Sequence, residues 1–101
     1  MIANNQIMDK LKQPLILGMV VATPGVLEKL KESNQCFLEF IQRHRNHDWG
    51  DVCQEDWSLN NQSVLEGTRI LSSYHTKKGE KIWIITEADR SSTTLLLPSD
   101  Y

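Results

Sequence analysis

The sequence has few of the residues that mark several classes of small protein. It contains two cysteines in 101 residues, Cys36 and Cys53, which is too few for the disulfide framework of a small secreted scaffold. Both are predicted to be reduced thiols, buried as small hydrophobic side chains. Proline and glycine are also scarce, at three and five residues, and no linker or repeat divides the chain. A chain of this length is therefore predicted to form a single domain.

A hydrophobic run long enough to span a membrane is also missing. The longest apolar run covers residues 15–22 and is interrupted by Gly18, whereas a spanning helix needs about 20 residues. Thr23-Pro24 and a helical pattern follow directly, which favours a buried strand over a signal peptide. We therefore expect a cytoplasmic protein with no membrane partner.

Neither sign of charge dominates the composition. The formal net charge is −2, and 24% of the residues are charged. Broad binding to DNA or anionic lipid usually requires a basic surface, so nucleic acid is not the favoured partner. One alternative stays open, a local basic patch formed by Arg43, Arg45, Lys77, Lys78 and Lys81.

Catalytic and cofactor-binding motifs are absent as well. There is no glycine-rich phosphate loop, no GxSxG and no paired CxxC, so no catalytic residue and no cofactor are predicted. The weak metal candidates are His44, His47 and Asp48, with Asp51 close by, because histidines at i and i+3 can share a helix face. The competing interpretation is that the histidines end one helix while the aspartates cap the next. A small metal-dependent enzyme is kept as an alternative to a binding protein.

What the sequence does contain is a strand-rich C-terminal third. Three runs with strand patterns, separated by turn residues, cover Arg69–His75, Lys81–Thr86 and Thr93–Leu97. The middle run is apolar on both alternating faces, which is typical of a central strand covered on both sides. Lys77-Lys78-Gly79 predicts a hairpin turn with Gly79 at positive φ.

Three helices are predicted between an N-terminal strand and this meander. Thr23-Pro24 supplies a cap and a first-turn proline for the first helix. Ser33-Asn34 separates it from the second helix, and either residue is able to cap that helix. Asp51 with Gln54 fits a capping box for the third helix, which is predicted to end at Gly67.

The predicted fold class is α+β, in the order β-α-α-α-β-β-β. Its helices pack on a mainly antiparallel sheet that ends in a three-stranded meander. Residues 1–14 are predicted to be a tail or short helix, and residues 15–101 the single α+β domain.

Two polar segments carry the candidate binding residues, which are Trp49, Asp51, Asp89, Arg90, Ser91 and Ser92. In the turn at 48–51, Trp49 is either a lid over the core or a partly exposed anchor for a partner. In the loop at 87–94, Arg90 with neighbouring hydroxyl groups could hold a phosphate or carboxylate, or the loop could be structural. If the segments are neighbours, we expect Arg90 to pair with Asp48 or Asp51.

Two motifs, DWGD at 48–51 and TEADRSSTTLLLP at 86–98, resemble those of a family of short bacterial proteins often encoded on plasmids and other mobile elements. Residues 17–25 are similar to the beginning of that family's sequences, and Asp100-Tyr101 is similar to their end. The resemblance covers residues 15–101. It implies a bacterial cytoplasmic protein linked to mobile DNA and supplies no activity. The leading prediction is a small binding or accessory protein, monomer or homodimer, that acts through a protein partner.

Overall fold

A four-stranded sheet carries three helices in the computed structural model, which describes residues 10–101. The elements are β1 (Met19–Ala22), α1 (Pro24–Glu32), α2 (Phe37–Arg45), α3 (Gln54–Glu66), β2 (Ile70–His75), β3 (Lys81–Thr86), β4 (Ser92–Leu96) and a short 3-10 helix (Pro98–Asp100). The predicted fold class and element order are confirmed. Of the predicted tail at 1–14, residues 1–9 lie outside the described residues, and 10–12 are helical.

The strand order in the sheet is β1-β4-β3-β2. β2, β3 and β4 form the predicted antiparallel meander, and β3 is central as predicted. β1 adds to β4 in parallel, with Met19 opposite Ser92 and Ala22 opposite Leu95. The order could not be predicted, because the apolar pattern of β1 fits either edge of the meander.

β1 is shorter than the strand predicted at 15–22. Gly18 has φ 64, a left-handed conformation that ends an extended strand and that side chains with a Cβ rarely adopt. A Cβ there would also collide with the backbone oxygens of Arg90 and Ser91. Leu15 instead enters the core, and its N–H donates to the Arg45 carbonyl at 2.8 Å.

The helices pack on one face of the sheet. A first core cluster joins α1 and α2 to the strands through the residues Val26, Leu30, Phe40, Ile41, Tyr74, Ile82, Ile84 and Leu95. A second cluster places Trp49 and α3 over the start of β2, through Leu15, Trp49, Val64 and Ile70. Burial of these apolar side chains provides most of the stabilisation, at roughly 25 cal/mol per Å².

Local chain signals account for several helix and turn boundaries. Thr23 caps α1, with its hydroxyl accepting from Val26 N–H at 3.2 Å. Gly67 ends α3 at φ 73, and Gly79 lies in the β2–β3 hairpin at φ 85. These three predictions are confirmed.

The predicted caps of α2 and α3 are wrong. Cys36 and Cys53 occupy these N-cap positions, and the Cys53 thiol accepts from Asp56 N–H at 3.4 Å. Both cysteines are exposed free thiols, so their predicted burial is also wrong. Asp51 does not cap α3, because its carboxylate binds His75 at 2.8 Å.

Within residues 10–101, no helix combines the length and apolar composition needed to cross a membrane.

Candidate functional site

His44 lies at the centre of a buried polar chain. Its ring Nδ1 contacts the Ser72 hydroxyl, and Nε2 lies 2.8 Å from Thr86 Oγ1. Thr86 Oγ1 lies 2.7 Å from Thr93 Oγ1, which donates to the Leu17 carbonyl at 2.8 Å. His44, Ser72, Thr86 and Thr93 are all buried. The chain therefore runs from β2 across β3 and β4 to the segment before β1.

The terminal carbonyl fixes the direction of this chain. A carbonyl oxygen only accepts, so the single Thr93 proton goes to Leu17, and Thr86 must donate to Thr93. Thr86 then accepts from His44 Nε2–H, which leaves Nδ1 to accept from Ser72. Burial lowers the pKa of His44 to about 3, and the nearby His47 and Arg90 add to the effect. The imidazole is therefore neutral and structural at neutral pH.

The candidate metal ligands do not converge. Both ring nitrogens of His44 face hydroxyl groups, and Asp48 accepts from Arg43 Nε at 2.7 Å. The His47 ring stacks on Trp49 with centroids 5.4 Å apart. Residues 10–101 contain no group of three or more His, Cys, Asp or Glu side chains arranged to hold a metal ion. These candidates therefore do not form the metal site that the sequence left open as an alternative.

Trp49 is a lid over the core. Its side chain is 0% exposed, and its indole N–H donates to Asn61 Oδ1 at 3.0 Å. The edge of its ring system also meets the His44 ring at 5.5 Å. The prediction of a partly exposed anchor is wrong, because the turn at 48–51 folds inward between α2 and α3.

The rest of this turn is also used internally. Asp48 Oδ1 accepts from Gly50 N–H at 3.1 Å, and Arg43 holds the pKa of Asp48 below its usual range. Gly50 has φ 77, and a Cβ there would collide with the Ser73 carbonyl and the Tyr74 ring. The DWGD motif therefore forms a turn that packs tightly against β2.

Arg90 does not pair with Asp48 or Asp51, so that prediction is wrong. Its guanidinium donates to three carbonyl oxygens: Thr68 at 2.6 Å, Ser63 at 2.9 Å and Glu87 at 3.1 Å. Ser63 lies in the last turn of α3, and Thr68 lies just beyond the helix. The Ser63 carbonyl also accepts from Gly67 N–H at 2.9 Å, so Arg90 adds a cationic donor to the partly negative end of the helix. Arg90 thus fastens the β3–β4 loop to α3, which is the structural alternative left open by the sequence.

The other candidate residues of this loop also have internal contacts. Hydrogen bonds from the Ser91 hydroxyl and from Ser91 N–H lower the pKa of Asp89, and this N–H lies 3.0 Å from Asp89 Oδ1. The Ser91 carbonyl accepts from Met19 N–H, and the Ser92 carbonyl accepts from Glu87 N–H, both at 3.0 Å. A binding role for these residues and for Asp51 stays a prediction.

Two arginines of the expected basic patch have different surroundings. Arg43 pairs with Asp48 and lies over the Tyr74 ring of β2 at 4.7 Å. Arg45, from the same last turn of α2, lines a groove beside β1. Binding of nucleic acid through a local basic patch stays a prediction.

The outer edge of β1 is the exposed feature that these contacts leave unexplained. Met19 N–H and Thr23 N–H donate inward to β4, to Ser91 and Leu95. Because strand residues alternate in direction, the N–H and C=O groups of Val20 and Ala22 point outward. No described strand pairs with this edge.

Apolar side chains surround these outward backbone groups. Met19 is 70% exposed, Val20 40% and Val21 42%. Ile16 and Leu38, also exposed, border the same strand, and both line the groove with Val20. We call these five residues the β1 patch. Val20 shares the groove with Ile16 and Leu38, whereas Met19 and Val21 point to the opposite face of the sheet because strand side chains alternate. At on the order of 100 Å² each, these side chains expose apolar surface on both faces of the β1 edge.

The opposite edge of the sheet is covered. Gly50 bridges to Ser73 of β2, with Asp51 N–H donating to the Ser73 carbonyl at 2.6 Å. The Asn60 amide donates to the Leu71 carbonyl at 2.8 Å. Natural proteins commonly protect sheet edges in this way or with charged side chains. β1 has neither protection among the described residues.

Sequence reasoning missed the β1 patch, because an apolar run predicts burial. The available signal was the absence of any charged residue between Lys12 and Glu28. No protein-family model, curated protein or solved structure matches this chain. The resemblance in the DWGD and TEADRSSTTLLLP motifs stays a prediction.

Proposed function

We propose that this protein is a small polypeptide-binding protein that accepts an extended partner strand along the outer edge of β1. The observation that carries the proposal is the open apolar edge, with Met19 at 70% exposure. Strand addition uses the backbone for affinity and alternating side chains for specificity. The outward N–H and C=O groups of Val20 and Ala22 can supply the backbone hydrogen bonds, and the side chains of the β1 patch can supply the specificity.

The chemistry of this surface favours a polypeptide over other partners. Its five residues are uncharged, whereas nucleic acid is bound largely through its phosphates by lysine and arginine. An enzyme would need titratable groups that meet in an accessible cleft, and His44 is 0% exposed. The bacterial cytoplasm and a link to mobile DNA, implied by the sequence motifs, complete the proposal.

Site-specific photocrosslinking in the bacterial cytoplasm tests the proposal. A photoreactive amino acid replaces Met19 in the full chain, and the matched control carries it at Leu59, which is 53% exposed on α3. We expect a discrete polypeptide adduct from position 19, at least about tenfold stronger than from position 59. Val20→Pro, which removes one outward N–H, should reduce that adduct to a similar extent, because proline is tolerated on an edge strand.

Equal labelling from both positions, or none from position 19, would overturn the proposal. Loss of the adduct after nuclease treatment would replace the polypeptide with a nucleic acid. Circular dichroism of each variant establishes that the fold is retained.

A further inference from the structure

We propose that the strand accepted by β1 is β1 of a second copy, so that two molecules share one continuous sheet about a two-fold axis. This inference rests on the proposed function and names its partner. Each copy contributes a four-stranded sheet, and among its described residues no strand pairs with the outer edge of β1. Closed two-fold dimers are the commonest form of protein self-association, and they hide both open edges at once.

The charge pattern suits self-pairing in particular. In a two-fold contact, residues near the axis face their own copies, so a central charge would meet a like charge. Lys12 and Glu28 are the nearest charged residues in sequence on either side of β1. Among side chains that line the groove, the charged one is Arg45, at its border. Two β1 strands can therefore approach without like charges at the centre.

The outward backbone groups define one register. Antiparallel pairing lets Val20 of one copy exchange both hydrogen bonds with Ala22 of the other, and the symmetry repeats this on the other side of the axis. Val21 then lies opposite its own copy in a non-hydrogen-bonded pair. In such pairs the Cα atoms are about 4.5 Å apart. Met19 falls opposite Thr23, which continues the contact at both ends.

The exposed area suits a weak contact. The β1 patch exposes on the order of 500 Å² of apolar surface per copy, on both faces of the edge, and pairing of the two strands covers part of it. The pair therefore buries less than about 1,000 Å² of patch surface, the range of weak and transient interfaces. Ile16 and Leu38 extend the contact beyond the strands. Because the axis is perpendicular to the sheet, α2 of both copies lies on the same side.

Disulfide trapping tests the register. Cys36→Ser and Cys53→Ser remove the native thiols, and serine preserves an N-cap at position 53. Val21→Cys is then oxidised and compared with Leu59→Cys, which lies on α3 and outside the β1 patch. We expect covalent dimer to form at least about tenfold faster with Val21→Cys, since 4.5 Å is within disulfide reach. Equal rates would overturn the register.

Sedimentation equilibrium of the full chain tests the dimer itself. We expect Val21→Lys to weaken self-association at least about a hundredfold, because it places two charges at the axis, whereas Leu59→Lys leaves it unchanged. A wild-type monomer at about 100 μM would overturn the inference. If residue 19 still crosslinks a different polypeptide, the proposed function stands without the dimer.

Removal of residues 1–9 tests whether the N-terminal segment of the same chain, rather than a second copy, pairs with β1. If the full chain is a monomer and the shortened chain is a dimer, the N-terminal segment covers β1, and the second copy is overturned as the native occupant. If the full chain is a dimer, we expect the shortened chain to remain one. With neither dimer nor adduct, both proposals fail.

Discussion

His44 joins three strands and the segment before β1 without contributing an ionised group. Its two ring nitrogens contact Ser72 and Thr86, and the chain continues through Thr93 to Leu17. A buried polar group is costly when unpaired, but a fully paired chain fixes one arrangement of its neighbours. At the residue scale, this chain specifies how α2 lies on the sheet.

The low pKa of His44, about 3, predicts acid sensitivity. Unfolding releases the ring to an ordinary pKa near 6.5, so the unfolded chain binds a proton below that pH while the folded chain does not. The contribution of neutral His44 to the unfolding free energy is therefore fully present above pH 6.5 and is lost as the pH falls toward 3. Between pH 6.5 and 5, we expect His44→Gln to reduce the pH slope of the unfolding free energy by about 1 kcal/mol per unit.

Urea denaturation at several pH values measures this slope. His75→Gln is the matched control, since His75 lies at an exposed position outside the buried polar chain, and Asp51→Asn accounts for its contact with the Asp51 carboxylate. Slopes are compared because His44→Gln also lowers absolute stability. Identical slopes for the two variants would contradict a buried neutral His44.

Gly50 provides a second prediction at this scale. Gly50→Ala forces a Cβ into the Ser73 carbonyl and the Tyr74 ring, and we expect it to lower the unfolding free energy by about 3 kcal/mol or more. Gly79→Ala has a similar positive φ but open space around its Cβ, so its cost should be about 1 kcal/mol. Chemical denaturation of both variants checks the difference. Equal losses of unfolding free energy in the two variants would contradict the predicted steric collision and leave the positive φ as the reason for glycine at position 50.

At the scale of elements, Arg90 joins the β3–β4 loop to the C-terminal end of α3. Its guanidinium donates hydrogen bonds to the carbonyls of Ser63, Thr68 and Glu87 of its own loop. The C-terminal end of a helix carries partial negative charge, which favours a cation there. Among the described residues, the hydrogen bonds of its side chain go to carbonyls rather than carboxylates. The β3–β4 loop and α3 are thereby held as one unit.

Removing the Arg90 guanidinium should loosen this unit. We expect Arg90→Ala to lower the unfolding free energy by about 2 kcal/mol, because three hydrogen bonds from a charged donor are lost. Arg90→Lys should recover less than half, since a lysine lacks the planar fork. Lys78→Ala, in the exposed β2–β3 hairpin, should change stability by less than about 0.5 kcal/mol. Full recovery by lysine would show that charge alone suffices.

The two sheet edges differ at the scale of the whole molecule. β2 is covered by the turn at 49–51 and by Asn60, whereas β1 presents backbone groups and an apolar surface. The strand order puts these edges on opposite sides. Within residues 10–101, one edge of the sheet is therefore covered and the other is not.

Self-association would make thermal stability depend on protein concentration. Because dimer formation stabilises the folded state by mass action, we expect the wild-type Tm to rise by about 3 °C for each tenfold increase in concentration. Val21→Lys should show no such rise. Scanning calorimetry at three concentrations measures both proteins. A constant wild-type Tm would be inconsistent with the dimer.

Much of the fold was predictable from short-range chemistry. Thr23 caps α1, Gly67 and Gly79 take positive φ, and the apolar pattern of Lys81–Thr86 predicted the central strand. Each outcome depends on a residue's own conformational preferences or on neighbours a few positions away. The sequence alone therefore determined the α+β order of elements.

The candidate site depended on the tertiary structure. Trp49 became a lid, Arg90 found carbonyls instead of aspartates, and β1 took an exposed edge, although their local sequences allowed other outcomes. Arg90 and Ser63 are 27 residues apart, and His44 and Thr86 are 42 apart. Only packing brings such partners within hydrogen-bond distance. Whether an apolar run lies in the core or on a binding edge is decided by which elements cover it.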